Sequence, residues 1–166
     1  MIKKRIKYYL LLLVILAFNS LQAQDNIDFN IKLISGTEIQ FSELIAKKVT
    51  LVNFWALWCK PCRIEMKALK ELHEKYRNKG FEILGINQDT PRSSAKVESY
   101  INVQNIDYKI ALDPNKEYFE LFNGQVVPLT LLYDKSGKVI YKNTGYLPGD
   151  EFKLEEIIKK ILEENN

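Results

Sequence analysis

The stretch Val52-Asn53-Phe54-Trp55-Ala56-Leu57-Trp58-Cys59-Lys60-Pro61-Cys62-Arg63 joins an apolar run to two cysteines three positions apart, and its reading decides the fold. From Val49 to Trp55 the residues, Asn53 apart, are β-branched, aliphatic and aromatic, as expected of a strand buried on both faces. Beyond Cys62 the period lengthens. Met66, Leu69, Leu72 and Tyr76 share one face at helical spacing while Lys67, Lys70, Glu71, Glu74 and Lys75 occupy the rest, which predicts an amphipathic helix of about five turns ended by Asn78-Lys79-Gly80. Cys59 therefore stands where a strand gives way to a helix.

That position favours a reactive thiol. A helix N-terminus carries unpaired amides and roughly half a positive charge, which stabilises a thiolate over a thiol. Lys60 adds a nearby cation, and Pro61 suits an early helical turn because its missing amide hydrogen would have had no partner there. The roles expected are nucleophile for Cys59 and, one helical turn on, resolving thiol for Cys62, the two together forming a redox-active disulfide. A bridge over so short a loop constrains the unfolded chain little, so a purely structural role is disfavoured. A zinc site needs about four ligands, and apart from this pair the chain offers one histidine, His73, read as a solvated residue on a charged helix. No metal and no cofactor are expected.

Working outward, Phe29–Leu33 and Glu38–Phe41 around Ser35-Gly36-Thr37 predict a hairpin, and Ser42–Ala46 a single helical turn. Strands are expected over Phe81–Asn87, Tyr108–Leu112, Val126–Tyr133 and Lys138–Lys142, with helices from Ser93 to about Val103 and from Asn115 to Phe122. A last amphipathic helix, capped by Asp150, is expected to reach Leu162. This alternation indicates one α/β domain with a largely buried central sheet, in keeping with 166 residues of which 46% are hydrophobic.

The N-terminus differs in kind. Lys3, Lys4, Arg5 and Lys7 precede an apolar run from Tyr8 to Phe18, followed by a more polar stretch ending at Ala23, the order of a secretory signal. The run is short for a bilayer of roughly 30 Å, so residues 1–23 are read as a signal peptide and 24–166 as the domain, the alternative being an uncleaved membrane anchor. Without this leader, 20 basic residues face 21 acidic ones, which removes the electrostatic case for nucleic acid. A near-neutral, charged surface points to a monomer.

The segment Val52–Arg63, with Glu65-Met66 after it, resembles the active-site region of thioredoxin-like proteins, specifically the exported TlpA and ResA branch. The resemblance runs from about residue 29 to residue 164. It implies a thioredoxin-like fold: a central mixed β-sheet flanked by helices, with an N-terminal β-hairpin and an inserted helix near 93–103. Val127-Pro128 matches the family's cis-proline, which implies that Pro128 faces the cysteines and that the Val127 backbone pairs with substrate. Glu65 matches the acidic residue near the thiols, and one turn beyond Cys62 it is placed to take up the proton that Cys62 loses. Trp58 and Pro61 are expected on the rim that meets substrate, whereas Trp55 fits the core equally well. Three departures stand out. Asn53 occupies the place of the buried aspartate of plain thioredoxins, Lys67 replaces a frequent proline, and Leu129 replaces the common threonine after the cis-proline.

The function so implied is thiol-disulfide exchange, most simply the reduction of disulfides in exported proteins in a periplasmic or other extracytoplasmic compartment, with apocytochrome c among the substrates of such relatives. A reductase there must be fed electrons, which implies a membrane-embedded thiol donor. Two alternatives stand beside it. One is a disulfide oxidase or isomerase, although those usually carry histidine between the cysteines. The other is a non-catalytic module that docks peptides along the strand edge near Pro128. A peroxidase would need a Pro-X-X-X-Thr-X-X-Cys arrangement that neither cysteine has.

Overall fold

The computed structural model describes residues 27–164, so the expected leader lies outside the described residues. Among them no helix is long and apolar enough to cross a membrane. The chain opens with a hairpin of β1 (Asn30–Lys32) and β2 (Glu38–Gln40) and continues through α1 (Phe41–Lys47) into β3 (Val49–Trp55). Then follow α2 (Lys60–Tyr76), β4 (Phe81–Asn87), α3 (Ser94–Gln104), β5 (Lys109–Leu112) and α4 (Glu117–Leu121). The chain closes with β6 (Leu129–Tyr133), β7 (Val139–Thr144) and α5 (Asp150–Glu164).

Five strands form one mixed sheet in the order β5-β4-β3-β6-β7, with β3 central, β4 and β5 parallel to it, and β6 and β7 antiparallel in turn. Every residue of β3 is buried, as its run of apolar residues predicts. Its alternation divides the core. Leu51 and Trp55 pack under α2 and α5 with Met66, Leu69 and Ile158, whereas Val52 and Phe54 face Phe41, Phe119, Phe122 and Leu131 on the other side. Trp55 is thus a core residue. Gly85 of β4 is required there, because a Cβ would come within 2.8 Å of the Ile110 side chain and 3.3 Å of Trp55 Nε1. The hairpin docks on the β5 edge through the Leu33–Ala111 bridge and the Ile34 amide on the Ile110 carbonyl, at 2.8 Å.

Several expected boundaries move. The strand expected from Val126 begins at Leu129, since Val127–Pro128 is a cis peptide and proline has no amide hydrogen for the ladder. The helix expected over Asn115–Phe122 shortens to Glu117–Leu121, and the strand expected to stop at Lys142 continues to Thr144. Asp150 is the first residue of α5, and its carboxylate closes the preceding turn by accepting the Leu147 amide at 2.9 Å.

His73 is a clear correction: it is buried, not solvated. The inward face of α2 continues through it, and carboxylates from two neighbouring elements meet its ring. Its Nδ1 lies 3.0 Å from Asp107 Oδ1 and its Nε2 3.2 Å from Glu82 Oε1. Glu82, on β4, also pairs with Lys109 and, at 3.3 Å, with Lys48. Burial alone would push the Glu82 carboxyl up, but the hydrogen bonds from His73 and Lys109 prevail and hold it at about 2.

This cluster ties α2 to the end of the sheet remote from the cysteines. Glu82→Gln leaves His73, Lys48 and Lys109 without their shared charge and is expected to cost about 3 kcal/mol, read as a lowered urea midpoint. The contribution of Glu82 is full above the ordinary carboxyl value of 4.5 and is lost as pH falls from there toward about 2, so the variant is also expected to flatten acid denaturation in that window.

Candidate active site

Cys59 and Cys62 are joined as a disulfide at the junction of β3 and α2. Cys59 is the residue just outside the helix, and the Cys62 amide donates to its sulfur at 3.2 Å. A sulfur at this position accepts one of the unpaired amides of the first turn, which is the physical basis for a stabilised thiolate. Cys59 retains 5% exposure and Cys62 none, so an incoming sulfur reaches Cys59 first. The Val127 carbonyl oxygen lies 3.8 Å from Cys59 Sγ, and the buried Pro128 follows it in the cis peptide. Trp58, at 67% exposure, and the exposed Pro61 flank the pair at the surface.

The loop carrying Trp58 is held from below. Asp89 accepts the Leu57 amide at 2.7 Å and the Asn87 side-chain amide at 2.8 Å, while the Arg63 guanidinium donates to the Leu57 carbonyl. Asp89 and Asn87 are buried at the carboxyl end of β4, beside the junction. Sequence reasoning missed them. The run Asn87-Gln88-Asp89 was legible only as the polar end of a strand, and its link to Leu57 depends on the parallel pairing that sets Trp55 beside Asn87.

Glu65 is 3% exposed and lies on the inward face of α2, one turn past Cys62. Its Oε2 accepts from Asn53 Nδ2 at 2.8 Å and its Oε1 from the Thr130 hydroxyl at 2.7 Å. Asn53 Nδ2 also donates to Thr130 Oγ1, at 2.9 Å, which closes a triangle of three buried groups. Thr130 faces Asn53 directly in the β3–β6 register. Burial pushes the Glu65 carboxyl up to about 7, with the two hydrogen bonds opposing it and the Asp150 charge adding to it. Thr130 carries no mark in the sequence beyond its place two residues after Pro128. Leu129, which replaces the common threonine, is buried in β6.

Comparison with known proteins gives the family. Residues 23–142 match the AhpC/TSA family. The thiol-disulfide oxidoreductase ResA of Bacillus thuringiensis subsp. konkukian is 34% identical over 128 residues, 77% of this chain and 71% of that protein. This chain belongs to the AhpC/TSA family, among its ResA-type thiol-disulfide oxidoreductases. ResA of Geobacillus kaustophilus is likewise 34% identical over 124 residues, covering 75% of this chain and 70% of that one. Among solved structures, a Chlorobium tepidum protein proposed to be the thiol:disulfide interchange protein DsbE superposes with a TM-score of 0.75 at 27% identity, covering 82% of this chain and 94% of that chain. StoA of Bacillus subtilis, at 21% identity and a TM-score of 0.64, covers 79% of this chain and 96% of that chain and shares the fold. The α/β thioredoxin-like fold, the Cys59–Cys62 pair and the enzyme class expected from the sequence are those of the family.

The Glu65 proton has a consequence for stability. Native Glu65 holds its proton to about 7 against an ordinary 4.5, so between these values the folded chain binds more protons than the unfolded one. Stability attributable to Glu65 is therefore full below the ordinary value and falls as pH rises through this window, by at most about 3 kcal/mol. Urea midpoints at about pH 5 and about pH 8 are expected to show this decline in the native sequence and to lose it in Glu65→Gln.

Proposed function

We propose that this chain is an exported reductase of protein disulfides. In this reading residues 1–23 direct export and 24–166 form the catalytic domain. The Cys59 thiolate attacks the substrate disulfide and expels one substrate sulfur. Cys62 gives its proton to Glu65 and attacks Cys59, releasing the second substrate sulfur and leaving the Cys59–Cys62 disulfide, so that two electrons pass from the dithiol to the substrate. Trp58 and Pro61 supply the rim on which the substrate rests, and the Val127 backbone, before Pro128, pairs with it as an added strand. A membrane-embedded thiol donor returns the dithiol, and apocytochrome c is the substrate suggested by the family.

The observation that carries the direction is the buried Glu65 carboxyl one turn from Cys62. A helix end favours a thiolate by about 0.3–1 kcal/mol. Burial raises the Glu65 carboxyl from 4.5 to about 7, so that near neutral pH it both accepts and releases a proton. The proton that Cys62 loses as the dithiol gives up its electrons thereby has an acceptor one helical turn away, as reduction of a substrate disulfide requires.

Equilibration of the pure domain with defined thiol buffers tests this. A potential near about −270 mV is expected, and one near about −120 mV would reverse the direction. The division of labour has its own test. Cys62→Ser is expected to accumulate a mixed disulfide with substrate, whereas Cys59→Ser forms none; a Cys59→Ser protein that still trapped substrate covalently would exchange the two roles.

A further inference from the structure

Glu65 has to lose to solvent, in each cycle, the proton it takes from Cys62, yet almost none of it reaches solvent. Asn53 and Thr130 close its sheet side, and Cys62 and Met66, both fully buried, flank it along α2. One cavity of about 10 Å³ touches it, lined also by Tyr141, Tyr146, Asp150 and Glu151. That volume is close to what a single water needs, and the lining offers more than two polar partners.

The outer groups are not equivalent. The Tyr146 hydroxyl donates to Glu151 Oε2 at 2.6 Å, and the same oxygen accepts the Gly149 amide at 2.8 Å, so two donors hold that oxygen. Asp150 uses only Oδ2, for the Leu147 amide. The charged and titratable groups facing Glu65 are Asp150 and Glu151 from α5, Tyr141 from β7, Tyr146 from the following loop and Tyr108 from the β5 side, with Cys62 on its own helix. No basic side chain lines the cavity. Among the described residues no ion pair fixes Glu65 in its charged form, so it can hold the proton as well as release it near neutral pH.

We propose that this cavity is the outlet by which Glu65 exchanges its proton with solvent, with Asp150 as the positioning carboxylate at its mouth. The inference rests on the reading of Glu65 as the proton acceptor of Cys62. Cys62 Sγ–H gives its proton to Glu65. As the Cys59–Cys62 bond forms, the bond from Cys59 to the substrate breaks, and the departing thiolate takes a proton from solvent. Protonated Glu65 passes its proton to one water in the cavity, and Asp150 orients that water and draws the proton outward. Asp150 repels the Glu65 carboxylate as well, so removing its charge lowers the Glu65 titration midpoint.

The test uses the domain with Asp150→Asn, Asp150→Glu and Glu65→Gln. Glu65 is titrated by carbon NMR of its carboxyl, and turnover on a small disulfide is followed against pH, in dilute buffer and with added imidazole. Asp150→Asn is expected to move the Glu65 midpoint below its native value, to slow turnover several-fold in dilute buffer and to recover with imidazole, while Asp150→Glu behaves as the native protein. A midpoint unmoved by Asp150→Asn, or a moved midpoint with native turnover and no response to imidazole, overturns the outlet. Native turnover and a native pH profile in Glu65→Gln would instead overturn the proton-acceptor role of Glu65.

Discussion

The antiparallel register that sets Asn53 of β3 opposite Thr130 of β6 is the constraint on which this site depends. Side chains alternate across a strand, so this pairing turns both polar groups to the face that α2 covers, amid Leu51, Trp55 and Leu132. A buried amide and hydroxyl need partners, and the partner they share is the Glu65 carboxyl, at 2.8 and 2.7 Å. A slip of one residue would send Asn53 and Thr130 to opposite faces and leave the Glu65 carboxyl in an apolar layer with only one of its two donors. The same strand delivers Cys59 to the helix end, so sheet register, proton site and reactive sulfur are set together.

Two buried carboxyls show how much environment decides. Glu82 on β4 and Glu65 on α2 lie at opposite ends of the interface between that helix and the sheet. Glu82 meets two lysines and the His73 ring, remains charged down to about 2 and serves as an anchor. Glu65 meets only neutral donors, and its proton is held to about 7, where chemistry can use it. Cations at one end and their absence at the other divide two like residues between a charged anchor and a carboxyl that keeps its proton.

The sequence carried the parts of this that depend on local pattern. The span of β3 was read residue for residue, because its apolar run of β-branched, aliphatic and aromatic residues is interrupted only by Asn53, and the change of period after Cys62 placed α2 and with it Glu65. What pairing decides was not legible. Thr130 became part of the site through a partner 77 positions away, and Asp89 through a loop on the neighbouring strand. His73 misled for a related reason: charged neighbours along the helix suggested solvent, whereas its partners come from β4 and from the loop before β5. Strand ends were blurred where a cis peptide or a turn, not composition, stops the ladder.

The docked hairpin has an effect far from its own residues. With Leu33 and Ile34 bound to the β5 edge, that side of the sheet offers little backbone to a passing strand. The opposite edge is β7, where Lys142 and the polar Asn143 and Thr144 discourage pairing of the same kind. Both flanks of the sheet are thereby closed to pairing, while the Val127 carbonyl stands beside the Cys59 sulfur. Protection of the sheet against aggregation is thus divided between a covered edge at β5 and a polar, charged one at β7.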